Sequence, residues 1–250
     1  MASMKAVRIH DFGGPDVMRF EEISVPDPKP GEVLVRIYAA SVNPVDYKTR
    51  EGHYPVISRD KLPIVMGRDI AGVVERCGEG VKKLKTGDEV YALLSPDRGG
   101  FAEFVTMSAA DVALKPTQLD FCEAAAVPLA ALTAWQGLFD VGKLARGRRV
   151  LIHGGAGGVG HFAIQFAKTR DCEVFTTVAG KDVDFVRDLG ADRAIDYKNE
   201  RFEEIASDVD LVFDLIGGET RERSWAVLQP GGMLVSTLGQ PSQDDAARHH

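Results

Sequence analysis

Two stretches of this sequence carry residue types whose spacing could do chemistry. In the first, Val150-Leu151-Ile152-His153 runs straight into Gly154-Gly155-Ala156-Gly157-Gly158-Val159-Gly160, and helix-compatible residues follow from His161 to Lys168. Gly155, Gly157 and Gly160 stand at the G-x-G-x-x-G spacing of a dinucleotide-binding turn. There the first glycine permits a tight bend, the second lets backbone amides approach a pyrophosphate, and the third lets the helix close on the strand. The free amides and positive dipole end of such a helix face the phosphate charge. A glycine-rich turn without a ligand is the plain alternative. The strand before it, the helix after it and the units downstream favour nucleotide binding by Gly155, Ala156, Gly157, Gly158, Val159 and Gly160.

The second stretch runs from Ser41 to Pro55 and holds Asn43, Asp46, Tyr47, His53 and Tyr54. Asn43 precedes Pro44 and is biased away from helical geometry, so its amide is expected at a strand-to-helix corner. A capping loop, in which Asn43 and Asp46 satisfy nearby backbone groups, explains the same residues. His53 reads better as a solvent-exposed loop histidine than as a proton shuttle.

These stretches need elements to hold them. Around the polar loop, strands are expected over residues 4–10, 20–25, 32–40, 64–77 (with Gly67 and Gly72 inside), 89–93 and 102–107, separated by Gly and Pro turns. They make a β-rich domain over residues 4–122. Residues 123–250 form the second domain. Helices over 121–127 and 133–139 lead into the glycine strand. Strands over 173–178, 193–197, 209–216 and 233–238 then alternate with helices over 181–189, 199–207 and 219–228. That is an α/β, doubly wound parallel sheet of the Rossmann type, with a coenzyme over its switch point.

The end of the strand over 173–178, the next after the glycine strand, selects the coenzyme. An NAD binder places Asp or Glu there to hold the ribose 2′-hydroxyl, whereas this chain has Thr177-Val178-Ala179-Gly180-Lys181. The stretch holds no carboxylate to repel a 2′-phosphate, and a cation follows it. The expected cofactor is NADPH, with Thr177, Gly180 and Lys181 beside the phosphate. Lys181 as an ordinary solvated residue of a first helical turn is the alternative.

Composition narrows the rest. The chain has 250 residues, 44% of them hydrophobic, and a net charge of −7. Such a charge argues against nucleic acid as the main partner, since phosphate-backbone binding needs clustered Lys and Arg. The densest basic cluster, Arg146, Arg148 and Arg149, reads as a solvated turn. No apolar run reaches the roughly 18 residues of a membrane span, and neither a span nor a signal peptide is expected. Met1-Ala2-Ser3 before Met4 reads as an appended remnant. Cys77, Cys122 and Cys172 are scattered and read as reduced cytoplasmic thiols.

Taken in order, Asn43-Pro44-Val45-Asp46, the run from Gly67 to Val74, Gly87-Asp88-Glu89-Val90 and Gly154 to Gly160 closely resemble the medium-chain dehydrogenases/reductases, nearest their zinc-free quinone oxidoreductase (zeta-crystallin-like) branch. The resemblance covers residues 4–239. It implies a GroES-like catalytic domain joined to the Rossmann domain, with an active site in the cleft between them. In zinc-dependent relatives a Cys stands at the position of Asn43 and a His-Glu pair at Arg68-Asp69. An amide and a guanidinium are not zinc donors, and the four-cysteine lobe of other relatives has no counterpart, so no metal is expected.

The resemblance further implies that Thr133, in the step Thr133-Ala134-Trp135, lies beside the nicotinamide, with Ile216, Leu238 and Gly239 reaching the ring. Simple helix packing is the alternative for Thr133 and Trp135. Tyr197 is set against the 2′-phosphate, or is a partly buried strand tyrosine. The expected activity is NADPH-dependent hydride transfer to a small-molecule quinone or α,β-unsaturated carbonyl, with Asn43 and Tyr47 or Tyr54 hydrogen-bonding the acceptor oxygen. A 2-alkenal or enoyl-thioester reductase, and a non-catalytic NADPH-binding protein, are the rival readings. Relatives continue past the fifth strand, so the chain, closing on Ala246-Ala247-Arg248-His249-His250, reads as a fragment or a shortened form. A homodimer is a reasonable expectation from the edge pairing of similar proteins.

Overall fold

The computed structural model of the chain describes residues 2–239; the closing residues 246–250 lie outside them. One compact unit ends at Leu129 and a second begins at Ala130.

The first unit is antiparallel. Strands β1 (Ser3–Ile9), β2 (Met18–Ser24) and β4 (Ile64–Val65) form a sheet in the order β2-β1-β4. Strands β3 (Glu32–Ser41), β5 (Asp69–Cys77), β6 (Glu89–Leu93), β7 (Phe104–Ser108) and β8 (Ala113–Leu114) form another, ordered β7-β3-β5-β6-β8. Val33, Val35, Ile70, Val74, Val90 and Leu94 make its core. Helices α1 (Pro44–Arg50) and α2 (Phe121–Ala125) complete the unit.

The single strand expected over 64–77 is two strands in different sheets. Gly67 sits between them at φ +91°, and a methyl group there would lie 2.5 Å from the Phe101 ring. The chain turns at this point because only glycine adopts the conformation without strain. Gly72, by contrast, stays in β5. A methyl group on it would be 2.1 Å from the carbonyl oxygen of Arg36, so its absence lets β3 approach.

Helix α3 (Pro128–Trp135) runs from the end of the first unit into the second and is continued by a π-helical turn over Gln136–Val141. Strands β9 (Arg149–His153), β10 (Glu173–Val178), β11 (Arg193–Asp196), β12 (Val209–Asp214) and β13 (Leu228–Ser236) are all parallel, in the order β11-β10-β9-β12-β13. Val150 and Ile152 pack on one face with Ala163, Ile164 and Ala167 of α4 (Gly160–Lys168). Leu151 packs on the other with Phe175, Phe202 and Val212. A strand covered on both faces reads as a continuous apolar run, which is how 150–152 appears in the sequence.

Three expected elements differ. The helix expected over 181–189 begins as a tight turn, Gly180–Asp182, before α5 (Val183–Asp188). The helix expected over 199–207 reduces to one turn, Phe202–Glu204. Asp196 folds the preceding segment by accepting from Lys198 N and Asn199 Nδ2, and Phe202 is drawn into the core. So few residues cannot offset the cost of helix nucleation. The last strand begins at Leu228, not 233. Its pairing with β12 steps from Val209–Leu228 to Leu211–Met233, so the Pro230-Gly231 turn bulges out of the strand. Helix α6 (Gly218–Ser224) precedes it.

Candidate functional site

In the first unit, β3 delivers Ser41 to the corner and α1 starts at Pro44. Asp46 accepts from Asn43 N at 2.7 Å and fixes the helix start. The Asn43 Nδ2 group donates to Ser41 Oγ and to Asp69 Oδ2, each at 2.9 Å. Asp69, fully buried, also accepts from Ser41 Oγ at 2.7 Å and from Leu129 N at 2.9 Å. Both amide hydrogens of Asn43 are therefore committed inside the protein, and the expected donor to an acceptor oxygen is turned inward.

Burial pushes the Asp69 carboxyl above the usual carboxylate range, against the hydrogen bonds from Ser41, Asn43 and Leu129 and the charge of Arg68. Burial also raises Asp46, opposed by the Asn43 amide and reinforced by the negative charge of Asp69. The guanidinium of Arg68 donates through Nε and Nη2 to the Leu94 carbonyl, at 3.0 and 2.7 Å. It also lies 5.9 Å from the centre of the Tyr54 ring, within cation–π range. Tyr54 is half-buried and Tyr47 exposed, leaving two phenol groups at this corner. His53 is exposed, 3.6 Å from Glu51.

The residues at the metal position do not suit zinc. Arg68 has no lone pair to give, Asn43 turns its NH₂ to Asp69, and the Asp69 oxygens accept three donors. Among the described residues, no group of three or more His, Cys, Asp or Glu could hold a metal.

In the second unit, β9 ends at His153 and the glycine turn follows. A methyl group at Gly155 would lie 2.0 Å from Thr176 Oγ1, and one at Gly160 would lie 2.2 Å from the Gly154 carbonyl oxygen. At Gly158 it would meet open space. Internal packing thus requires the first and third glycines, while the turn between them faces outward. Gly154 N and Gly155 N donate to the Thr177 carbonyl, and Gly157 N donates to that of Gly154. Among the described residues, the amides of Gly158 and Val159 have no acceptor. They stand at the start of the nine-residue α4 with Ala156 beside them, and such amides fit a phosphate.

The other expected coenzyme residues are placed as follows. Thr177 is buried, and its Oγ1 lies 3.1 Å from His153 Nδ1 and accepts from Gly154 N at 3.3 Å. It supports the turn from beneath. Gly180 and Lys181 stand exposed after β10, and Tyr197 is exposed just beyond β11. The neighbouring strand contributes a group that reading along β10 misses: a methyl group at Gly180 would be 2.7 Å from Asp196 Oδ2. A carboxylate therefore does stand beside Gly180, contrary to the expectation of none. Thr133 is half-buried on α3. Trp135 is edge-on to Phe139 and Phe166.

Ile216 is exposed, and its side chain would be 3.1 Å from a methyl group at Gly154. Leu238 flanks Gly217, and Gly239 follows with φ +75°. A residue the sequence reading missed ties these ends together. The fully buried Asp214 carboxylate accepts from Ile216 N, Gly217 N and Ser236 Oγ at 2.7–2.9 Å, and Ser236 Oγ accepts from Leu238 N. Its only sequence signal is a carboxylate closing an apolar strand. The basic cluster is paired with acids: Arg146 with Asp171, Arg148 with Asp210, and Arg149 with Glu173.

Comparison with known proteins bears on both units. Residues 29–117 match the alcohol dehydrogenase GroES-like domain, and residues 158–246 match the zinc-binding dehydrogenase domain. The chain is 42% identical to the 2-methylene-furan-3-one reductase of Solanum lycopersicum, over 95% of this chain and 63% of the relative. It is 41% identical to the chloroplastic NADPH-dependent alkenal/one oxidoreductase of Arabidopsis thaliana, over 94% and 63%. The chain thus spans about 63% of the length of these curated relatives. The solved quinone oxidoreductase of Coxiella burnetii superposes with a TM-score of 0.85 at 33% identity, covering 99% of this chain and 86% of that one.

Proposed function

The chain belongs to the medium-chain dehydrogenase/reductase superfamily, in its quinone oxidoreductase branch, and from that membership we propose that it is an NADPH-dependent reductase of quinones or α,β-unsaturated carbonyl compounds. The observation that carries this reading is the glycine turn, closed inward at Gly155 and Gly160 and open at Gly158, with the Gly158 and Val159 amides free. Gly155 to Gly160 hold the pyrophosphate, and Lys181 and Tyr197 take the 2′-phosphate against the opposing charge of Asp196. Ile216, Leu238, Gly239 and Thr133 line the nicotinamide. Thr177 and Gly180 shape the turn and the approach to the ribose. The names of the two plant relatives, an alkenal/one oxidoreductase and a furanone reductase, support the acceptor class.

Bound NADPH supplies a hydride. The chain's own part is to orient the acceptor and to stabilise charge on its oxygen. Tyr47 or Tyr54 donates its phenolic hydrogen to that oxygen, and the Arg68 guanidinium over the Tyr54 ring favours this donor by steadying the ring. Asn43 acts one layer back, bracing the corner through Ser41 and Asp69. The donor set at this corner offers zinc no site, so an acceptor that is already conjugated suits it. Orientation then contributes a large share of the rate.

The domains proposed to carry this activity are residues 4–122 and 123–250, with cytoplasmic residence and a homodimer as parts of the same reading. No helix among the described residues is long and apolar enough to cross a membrane. Cell fractionation and a sedimentation series over concentration test residence and assembly. The activity is tested by NADPH oxidation with a quinone, a 2-alkenal and an enoyl thioester. Turnover of the first two supports the proposal. Turnover of the 2-alkenal or the thioester without the quinone assigns the rival reductase, and NADPH binding without any turnover assigns a non-catalytic binder.

A further inference from the structure

The last residue of β9 is a histidine with no exposed surface, standing directly before the glycine turn. Its Nε2 lies 2.9 Å from Ser224 Oγ of α6, and its Nδ1 lies 3.1 Å from Thr177 Oγ1 of β10. The direction of each hydrogen bond follows from one carbonyl. Ser224 Oγ is 2.7 Å from the Thr220 carbonyl oxygen, which can only accept, so the serine hydrogen points there. Ser224 Oγ must then accept from His153, and Nε2 carries the ring hydrogen. In a neutral imidazole Nδ1 is left as acceptor, so Thr177 Oγ1 donates to it. The same threonine oxygen accepts from Gly154 N at 3.3 Å. Five groups from two strands, the glycine turn and a helix are linked without an idle donor: Gly154, Thr177, His153, Ser224 and Thr220.

We propose that His153, held as the neutral Nε2–H tautomer, is a positioning residue that ties the glycine turn to α6 and so sets the turn for NADPH. The proposal rests on the coenzyme reading above and adds to it a part for residues that do not face the coenzyme. The ring meets Phe202 edge to face, with centroids 4.8 Å apart. Burial holds the imidazole well below its ordinary pKa, at about 4, with Asp214 and Glu203 opposing the fall and Arg223 adding to it. The ring is thus neutral at pH 7, as the linked chain requires. Helix α6 starts at the turn that holds Ile216, so the same chain connects the phosphate turn with a residue expected at the ring.

The test uses the full chain with ¹⁵N-labelled histidine and two variants, Ser224→Ala and Ser224→Cys. Long-range ¹H–¹⁵N correlation at pH 7 should show His153 with its hydrogen on Nε2. A hydrogen on Nδ1, or a doubly protonated ring, overturns the proposal whether or not NADPH binds. NADPH affinity, followed by coenzyme fluorescence, should fall about 3- to 10-fold in Ser224→Ala, the worth of one net hydrogen bond. It should recover in part in Ser224→Cys, and the Gly154 and Gly155 amide resonances should shift in the alanine variant. Unchanged affinity in a folded Ser224→Ala overturns the positioning role. If the wild-type chain fails to bind NADPH while His153 shows the Nε2–H form, the coenzyme reading fails and with it the positioning role, but the hydrogen-bond assignment stands.

Discussion

Asp69 in the first unit and His153 in the second are both fully buried ionisable side chains behind an expected site, and burial acts on them in opposite directions. Desolvation disfavours the charged form of each, so the acid is pushed up and the imidazole down. Asp69 meets this by collecting donors from Ser41, Asn43 and Leu129. His153 meets it by staying neutral between two hydroxyls. The first corner holds a charge that it compensates, while the second avoids one. Acid should therefore separate the two units, and so should the removal of single groups.

The largest effect is expected from Asp69→Ala. It removes the acceptor shared by three part-buried donors and should destabilise the first unit by about 3–5 kcal/mol, read by urea denaturation. A loss below ~1 kcal/mol would mean that water takes over the donors and that the corner is not a compensated charge.

Next comes pH. The unfolded imidazole titrates near 6.5 and the folded one at about 4, so the unfolded chain binds more protons between these values. Stability of the second unit should fall as pH drops through that window, by about 3 kcal/mol in all. The groups facing His153 are Asp214, Glu203 and Arg223. Asp46 and Asp69 have the opposite sign. Their folded pKa values are raised, so the cost of burying their charge appears as pH rises and is relieved by acid. Amide exchange measured at pH 7 and 5 should show the second unit losing protection relative to the first; equal loss would break the comparison.

Lys181→Ala should weaken NADPH by roughly 10- to 100-fold, the worth of a charge-assisted hydrogen bond, and leave NADH nearly unchanged in parallel titrations. Equal losses would remove Lys181 from the 2′-phosphate. Smallest is Tyr54→Phe, which keeps the ring under Arg68 and deletes the hydroxyl. Turnover should drop about 5- to 10-fold with little change in KM, and no drop shifts the donor role to Tyr47.

Much of this was legible along the chain. The apolar run 150–152 announced a strand, and the glycine spacing marked the turn, because backbone conformation and close approach are local demands. The alternation of strands with helical segments in the second half likewise foretold the parallel sheet. The helix expected over 199–207 failed because Phe202 is held by the core and Asp196 folds the segment before it. Thr177 read as a coenzyme contact, yet its hydroxyl faces His153.

What residue order determined was each group's chemistry and the local geometry its neighbours permit: a flexible turn at 154–160, a helix start after Asn43, a lysine after Gly180. Only the tertiary structure decided which groups meet. Asp196 comes to Gly180 from the adjacent strand, Asp69 gathers Asn43 and Leu129, and Ser224 meets His153 across 71 positions. Hydrogen bonds and desolvation depend on distance in space, and a parallel sheet brings strand ends together whatever the length of chain between them.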